Sequence, residues 1–168
     1  MLALIFAFAA RLSACQFQRV TKYARDTTVP IDRSKVEIER TLQRYGATEF
    51  AYGTKPGCAM VGFVLQGRRI RFRLPMRDLN DTSFTKTPTG LRRSAEAARK
   101  EWEQNCRSRW RALALAIKAK LEAVESGIAT IEEEFLGYMV LPSGETFAEW
   151  AAPQLEQSAS KMPPLLPN

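Results

Sequence analysis

Between Leu91 and Ser126 the chain contains neither glycine nor proline, and no other feature constrains the fold as much as that 36-residue interval. Within it Ala95, Ala98, Trp102, Cys106, Trp110, Leu113, Ile117, Leu121 and Val124 recur at spacings of three and four. That pattern predicts one long helix with one apolar stripe. At 1.5 Å per residue such a helix reaches ~50 Å. A stripe of that length needs a second layer to bury it, and the segment upstream supplies one.

Three runs, ATEFAYG, CAMVGFVLQG and RRIRFRLPM, are rich in aromatic and branched residues and are punctuated by Gly and Pro, which predicts an antiparallel meander. With Gln66-Gly67 as a two-residue turn, Leu65 opposes Arg68, Phe63 opposes Ile70 and Val61 opposes Phe72. The large apolar residues then share one face. Side chains two apart on a strand point the same way, so Arg69, Arg71 and Arg73 lie on the other face, beside Met60, Gly62 and Val64.

Ahead of the strands, SKVEIERTLQRYG carries Ser34 and Glu37 at capping-box spacing, an apolar side of Val36, Ile38, Leu42 and Tyr45, and Gly46 as terminator, predicting a helix over 33–45. After them, MRDLNDTSFTKTPTG reads as a polar loop. TIEEEFLGYM opens on a second capping box, Thr130 and Glu133, and LPSGETFAEW makes a turn and a last helix from Thr146. The expected fold is α+β: a helix, a three-stranded antiparallel β-meander, a long helix packed on the sheet, and short C-terminal helices. Residues 23–152 form the expected single domain, followed by a proline-rich flexible tail over 153–168.

The first residues, MLALIFAFAARLSAC, end in Leu12-Ser13-Ala14-Cys15, which is similar to a bacterial lipoprotein cleavage box with Cys15 as the lipidated residue. No basic residue precedes the apolar run, and the run falls short of the ~20 residues that span a bilayer. Residues 1–22 are expected to be a leader or a start placed too far upstream. A cytoplasmic setting is preferred over an anchor through Cys15, and no membrane partner is expected.

Charge is concentrated in one part of the chain. From Gln66 to Lys120 there are 15 basic and five acidic residues, an excess of ten, whereas the remainder carries ten basic and 13 acidic ones. On the predicted long helix Arg93, Lys100, Arg107, Arg111 and Lys118 are spaced seven, seven, four and seven apart and fall on a single line. These five, with Arg69, Arg71 and Arg73 on the strand, are the candidate contacts for a nucleic acid, DNA or RNA, whose phosphates release counterions on binding. Trp102, Trp110, Tyr52 and Phe84 are the available stacking residues, but the tryptophans sit on the stripe and read as core.

Other chemistries have less support. The chain has no histidine, which removes the usual general base near neutral pH and the commonest metal ligand. Cys15, Cys58 and Cys106 are odd in number and far apart, so neither a disulfide framework nor a zinc site is expected, and no cofactor is expected. Asp78 and Asp81 are the one pair that suggests a metal-dependent nuclease. The alternative of another class is a protein-interaction module, a homodimer formed through the long helix.

The runs YARDTTVPIDRSKVEIERTLQRYGATEFAYG, GFVLQGRRIRFRLP, RSAEAARKEWEQNCRSRWRALALAIKAKLEAVESGI and EEFLGYMVLPSGETFAEW resemble small uncharacterised proteins of bacteriophage and prophage genomes, over Tyr23 to about Trp150. The resemblance implies a phage or mobile-element setting and a start near Tyr23. It implies no activity for any particular residue. The α-β-β-β-α order is also similar to the double-stranded RNA-binding domain, although the Lys-rich helix start and the Gly-Pro-x-His loop of that domain are missing.

Overall fold

The computed structural model describes residues 24–158. The cleavage-box-like segment with Cys15 and the final residues of the proline-rich tail lie outside the described residues. The architecture is α+β. A helix α1 (Ile31–Arg44) precedes three strands, β1 (Glu49–Lys55), β2 (Cys58–Leu65) and β3 (Arg68–Pro75). A short helix α2 (Thr82–Thr85), the long helix α3 (Ala95–Glu125), a short α4 (Ile131–Phe135) with a 3₁₀ turn over Leu136–Tyr138, and α5 (Phe147–Ser158) follow.

The sheet is an antiparallel meander in the order β1-β2-β3, with Leu65 opposite Arg68, Phe63 opposite Ile70 and Val61 opposite Phe72. Gln66 and Gly67 both have positive φ, 48° and 74°, the conformation of the hairpin turn that matches strand twist. Val61, Phe63, Ile70 and Phe72 are buried on one face beneath α3, whose Leu113, Ile117 and Leu121 join the same core. Phe135 of α4 meets the rings of Phe63 and Phe72 edge-on, at 6.2 and 6.3 Å between centroids. Complete burial of each such side chain contributes about 1.5–3 kcal/mol, so this layer is the main stabilising unit.

Helix α1 differs from the expectation at its start. It begins after Pro30, its N-cap, which makes no side-chain capping bond. Ser34 lies one turn inside, fully buried, and forms the core-facing row with Ile38 and Leu42 at four-residue intervals. The Ser34/Glu37 capping box is therefore not formed, because the earlier start lets Ile31 pack against the core and turns Ser34 inward. The same rotation places Val36 outside, 42% exposed, rather than on the apolar side. At the other end Gly46, with φ 81°, donates to Gln43 and Ala47 donates to Leu42, a Schellman termination.

Helix α1 runs alongside α3 in the same direction. Gln104 donates to the carbonyls of Arg25 and Thr27, Glu37 pairs with Arg111, and Tyr45 donates to Glu122 at 2.6 Å. The first half of α3 extends past the sheet and is covered by the segment between β3 and α3. That segment is more ordered than a polar loop: Phe84 of α2 is buried, Trp102 donates to the Arg77 carbonyl at 2.9 Å, and Lys86 bridges to Arg92.

After α4 the chain rounds the β3 edge. Met139 bridges to Ile70 and the Val140 N–H donates to the Arg69 carbonyl at 2.8 Å, which carries the chain to the opposite face of the sheet. Helix α5 starts there, at Phe147, one residue after the Thr146 expected from sequence, and continues through Pro153 to Ser158, past the point where composition set the start of the tail.

Candidate functional site

The face of the sheet turned away from α3 carries Arg69, Arg71 and Arg73 on β3, Met60, Gly62 and Val64 on β2, and Glu49, Ala51 and Gly53 on β1. In the strand register Ala51 lies opposite Gly62, and Gly62 opposite Arg71. Small residues in the middle of the row leave a shallow open depression of ≈ 590 Å³. Met60, Val64, Val140, Arg69 and Arg71 stand around it, with Glu49 on the β1 side.

The three arginines alternate with core residues, as the strand period requires, but they are not equivalent. Among the described residues Arg69 pairs with no carboxylate. Arg71 and Arg73 both close on Glu149 of α5, at 2.9 Å to Oε2 and 2.5 Å to Oε1. Glu149 also accepts from the Thr146 N–H at 2.8 Å, and its own N–H donates to the Thr146 hydroxyl at 3.3 Å. One carboxylate thus closes a capping box and bridges a strand-borne arginine pair, offsetting one of its two positive charges. Burial opposes its ionisation, but the Thr146 N–H, Arg73, the Thr146 side chain and Arg71 outweigh it and hold the Glu149 carboxyl at about 2. Arg73 is raised in turn by its bond to Glu149. Among the described residues the buried Arg71 Nε finds no hydrogen-bond acceptor.

The helical row is dispersed by its neighbours. Arg111 pairs with Glu37 of α1. The Arg107 guanidinium donates twice to Gln104 Oε1, and Arg93 donates to the carbonyls of Ser83, Phe84 and Lys86, closing the end of α2. Lys100 and Lys118 are exposed and unpaired among the described residues, and stand ~27 Å apart along the helix axis. The row and the sheet arginines lie on opposite sides of the sheet, so the structure brings together Arg69, Arg71 and Arg73 and leaves the helical five separate from them.

The long-helix stripe has little left over. Cys106, Trp110, Leu113, Ile117 and Leu121 are buried within the chain itself. Of the stacking candidates, Trp110 and Phe84 are buried, Trp102 is half-buried, and Tyr52 packs edge-on against Phe50 and Trp110 on the core side. Asp78 and Asp81 serve local geometry: Asp78 accepts from the Asn80 N–H, and Asp81 caps α2 through the Ser83 N–H. Among the described residues no group of three metal-ligating side chains occurs, and no helix is long and apolar enough to cross a membrane.

Sequence reasoning missed Glu149. Thr146 and Glu149 stand at capping-box spacing, a signal for where α5 starts, but nothing local states that the glutamate also reaches β3. Comparison with protein-family models, with curated proteins and with solved structures gives no match.

Proposed function

We propose that the protein is a non-catalytic nucleic-acid-binding protein whose contact surface is the open face of the sheet, within the phage or mobile-element setting that the sequence resemblance implies. The observation that carries this reading is the closure of Arg71 and Arg73 on a single carboxylate beside the unpaired Arg69 and the depression. Paired guanidinium groups held in position for anionic oxygens suit a phosphate as they suit a carboxylate. The Ala51–Gly62 floor lets a sugar or base approach the sheet backbone closely, which favours a single strand over a duplex. Arg93 and Arg111 carry less weight in this reading because each is engaged by other elements of the fold, and Arg107 because it is engaged by Gln104 of its own helix.

The test is a salt-titrated anisotropy assay with fluorescent oligo(dT) and oligo(U). Three phosphate contacts give a log–log salt slope of about −2 for a single strand, whereas contact by all eight basic candidates would give about −6. Absence of binding by either oligonucleotide at low salt overturns the proposal.

A further inference from the structure

The helix whose Glu149 closes on Arg71 and Arg73 is held differently from the other long elements of the described residues. None of the α5 residues is buried, and its two charged residues, Glu149 and Glu156, are both acidic. Pro153 lies inside it and offers no N–H to the Glu149 carbonyl one turn earlier. Its attachment is the Thr146/Glu149 box, the Phe147 N–H on the Met139 carbonyl at 2.9 Å, the two arginine contacts, and packing on the turn over Leu136–Tyr138.

The closed arrangement also satisfies the arginines incompletely. Both Glu149 oxygens are engaged, Oε1 by Arg73 and Oε2 by Arg71 and the Thr146 N–H, yet Arg71 Nε has no acceptor among the described residues. A backbone phosphodiester presents two anionic oxygens, as a carboxylate does, but on a tetrahedral centre and without a tie to the Thr146 N–H, so both oxygens are free for the guanidinium groups. Residues two apart on a strand are ~6.6–6.8 Å apart, so Arg69, Arg71 and Arg73 form an evenly spaced row along which a phosphate backbone can run.

We infer that the nucleic-acid site is self-occluded: Glu149 occupies the position of a backbone phosphate, and strand binding displaces α5 from the arginine row. This inference rests on the proposed function. The trigger is a competing polyanion and not a proton, because Glu149, facing Arg71 and Arg73 of β3 and Thr146 at its own helix start, stays ionised throughout the neutral range. Glu49, across the depression on β1, favours no anion on its side and confines the strand to the β3 side.

The test is Glu149→Gln in the full chain. Glutamine keeps the capping bond to the Thr146 N–H and removes the charge, so the helix start survives while the arginine clamp is lost. Hydrogen exchange over 147–158 and oligo(dT) anisotropy at low salt are measured for both proteins. The expected result is faster exchange over 147–158 in the variant, about tenfold tighter oligo(dT) binding, and faster exchange over the same residues in wild type when oligo(dT) is added. Wild-type binding that the substitution leaves unimproved overturns the occlusion and leaves the proposed function standing. Unchanged exchange in the variant likewise overturns the occlusion. Absence of wild-type binding at low salt overturns the proposed function itself, and the occlusion with it.

Discussion

Both basic arrays of this chain meet a glutamate carried by a helix from elsewhere in the sequence, and the two helices are held in opposite ways. On the sheet, Glu149 of α5 answers Arg71 and Arg73; on α3, Glu37 of α1 answers Arg111. Helix α1 is anchored by Ser34, Ile38 and Leu42, all but inaccessible to water, and its glutamate is incidental to its position. Helix α5 has no buried residue, and its glutamate is a principal attachment. The comparison teaches that a helix anchored by apolar burial does not depend on its ion pair, whereas one without a buried residue rests more heavily on it.

The largest effect that would sharpen this contrast lies in α1. Leu42→Ala removes a core side chain and is expected to destabilise the whole domain by about 2–5 kcal/mol, read as a lower urea midpoint with unchanged slope. Truncation of α5 after Thr146 should lower that midpoint by less than Leu42→Ala does, since the apolar side chains it removes, such as Phe147 and Ala151, are only partly buried. A midpoint that falls as far for the truncation as for Leu42→Ala would show that both helices are anchored alike and break the comparison.

Next in size are the arginines themselves. Replacing Arg69, Arg71 and Arg73 together by glutamine is expected to weaken oligonucleotide binding by about tenfold or more at low salt. The matched Arg93/Arg107/Arg111 variant should weaken binding less than about threefold while lowering stability, because Arg93 holds the end of α2 and Arg111 pairs with α1. The reverse ranking in the same anisotropy assay would move the contact surface to the helix.

A smaller and more local effect concerns pH. Glu149 has its carboxyl depressed from 4.5 to about 2, so its contribution to α5 docking is complete above 4.5 and is lost as pH falls through about 2. Protection over 147–158, exchange taken relative to the intrinsic rate at each pH, should therefore fall across that window in wild type. Glu149→Gln should lack the component centred near 2, and a fall of equal size in the variant would assign the transition to other carboxylates. Smallest of all, Glu37→Gln should cost under about 1 kcal/mol, the ordinary magnitude for a partly exposed pair, and leave α1 exchange unchanged.

Much of the fold was legible because its signals are short in range. The β2–β3 register follows from a two-residue turn and strict alternation, and Gly127 stands just beyond the end of α3 as a helix terminator should. Thr130 with Glu133 forms the box that its spacing announced. Ser34 with Glu37 has the same spacing and forms none, because the packing of Ile31 and Ser34 against the core decides where α1 begins. The polar stretch after β3 looked unstructured because what orders it, Trp102 on the Arg77 carbonyl and Arg93 on three carbonyls, comes from farther along the chain.

The charge pattern was the least legible. The excess of ten between Gln66 and Lys120 is real in sequence, but Arg68, Arg71, Arg73, Arg111 and Lys120 are met by Glu132, Glu149, Glu37 and Glu134, all outside that interval. The amino-acid order alone determined which residues share a strand face or a helix line, because backbone periodicity is a local property. Only the tertiary structure decided which of those cations meet a carboxylate, because Coulomb attraction depends on distance in space, and residues 78 positions apart, such as Arg71 and Glu149, become neighbours only when the chain has wrapped around the edge of its own sheet.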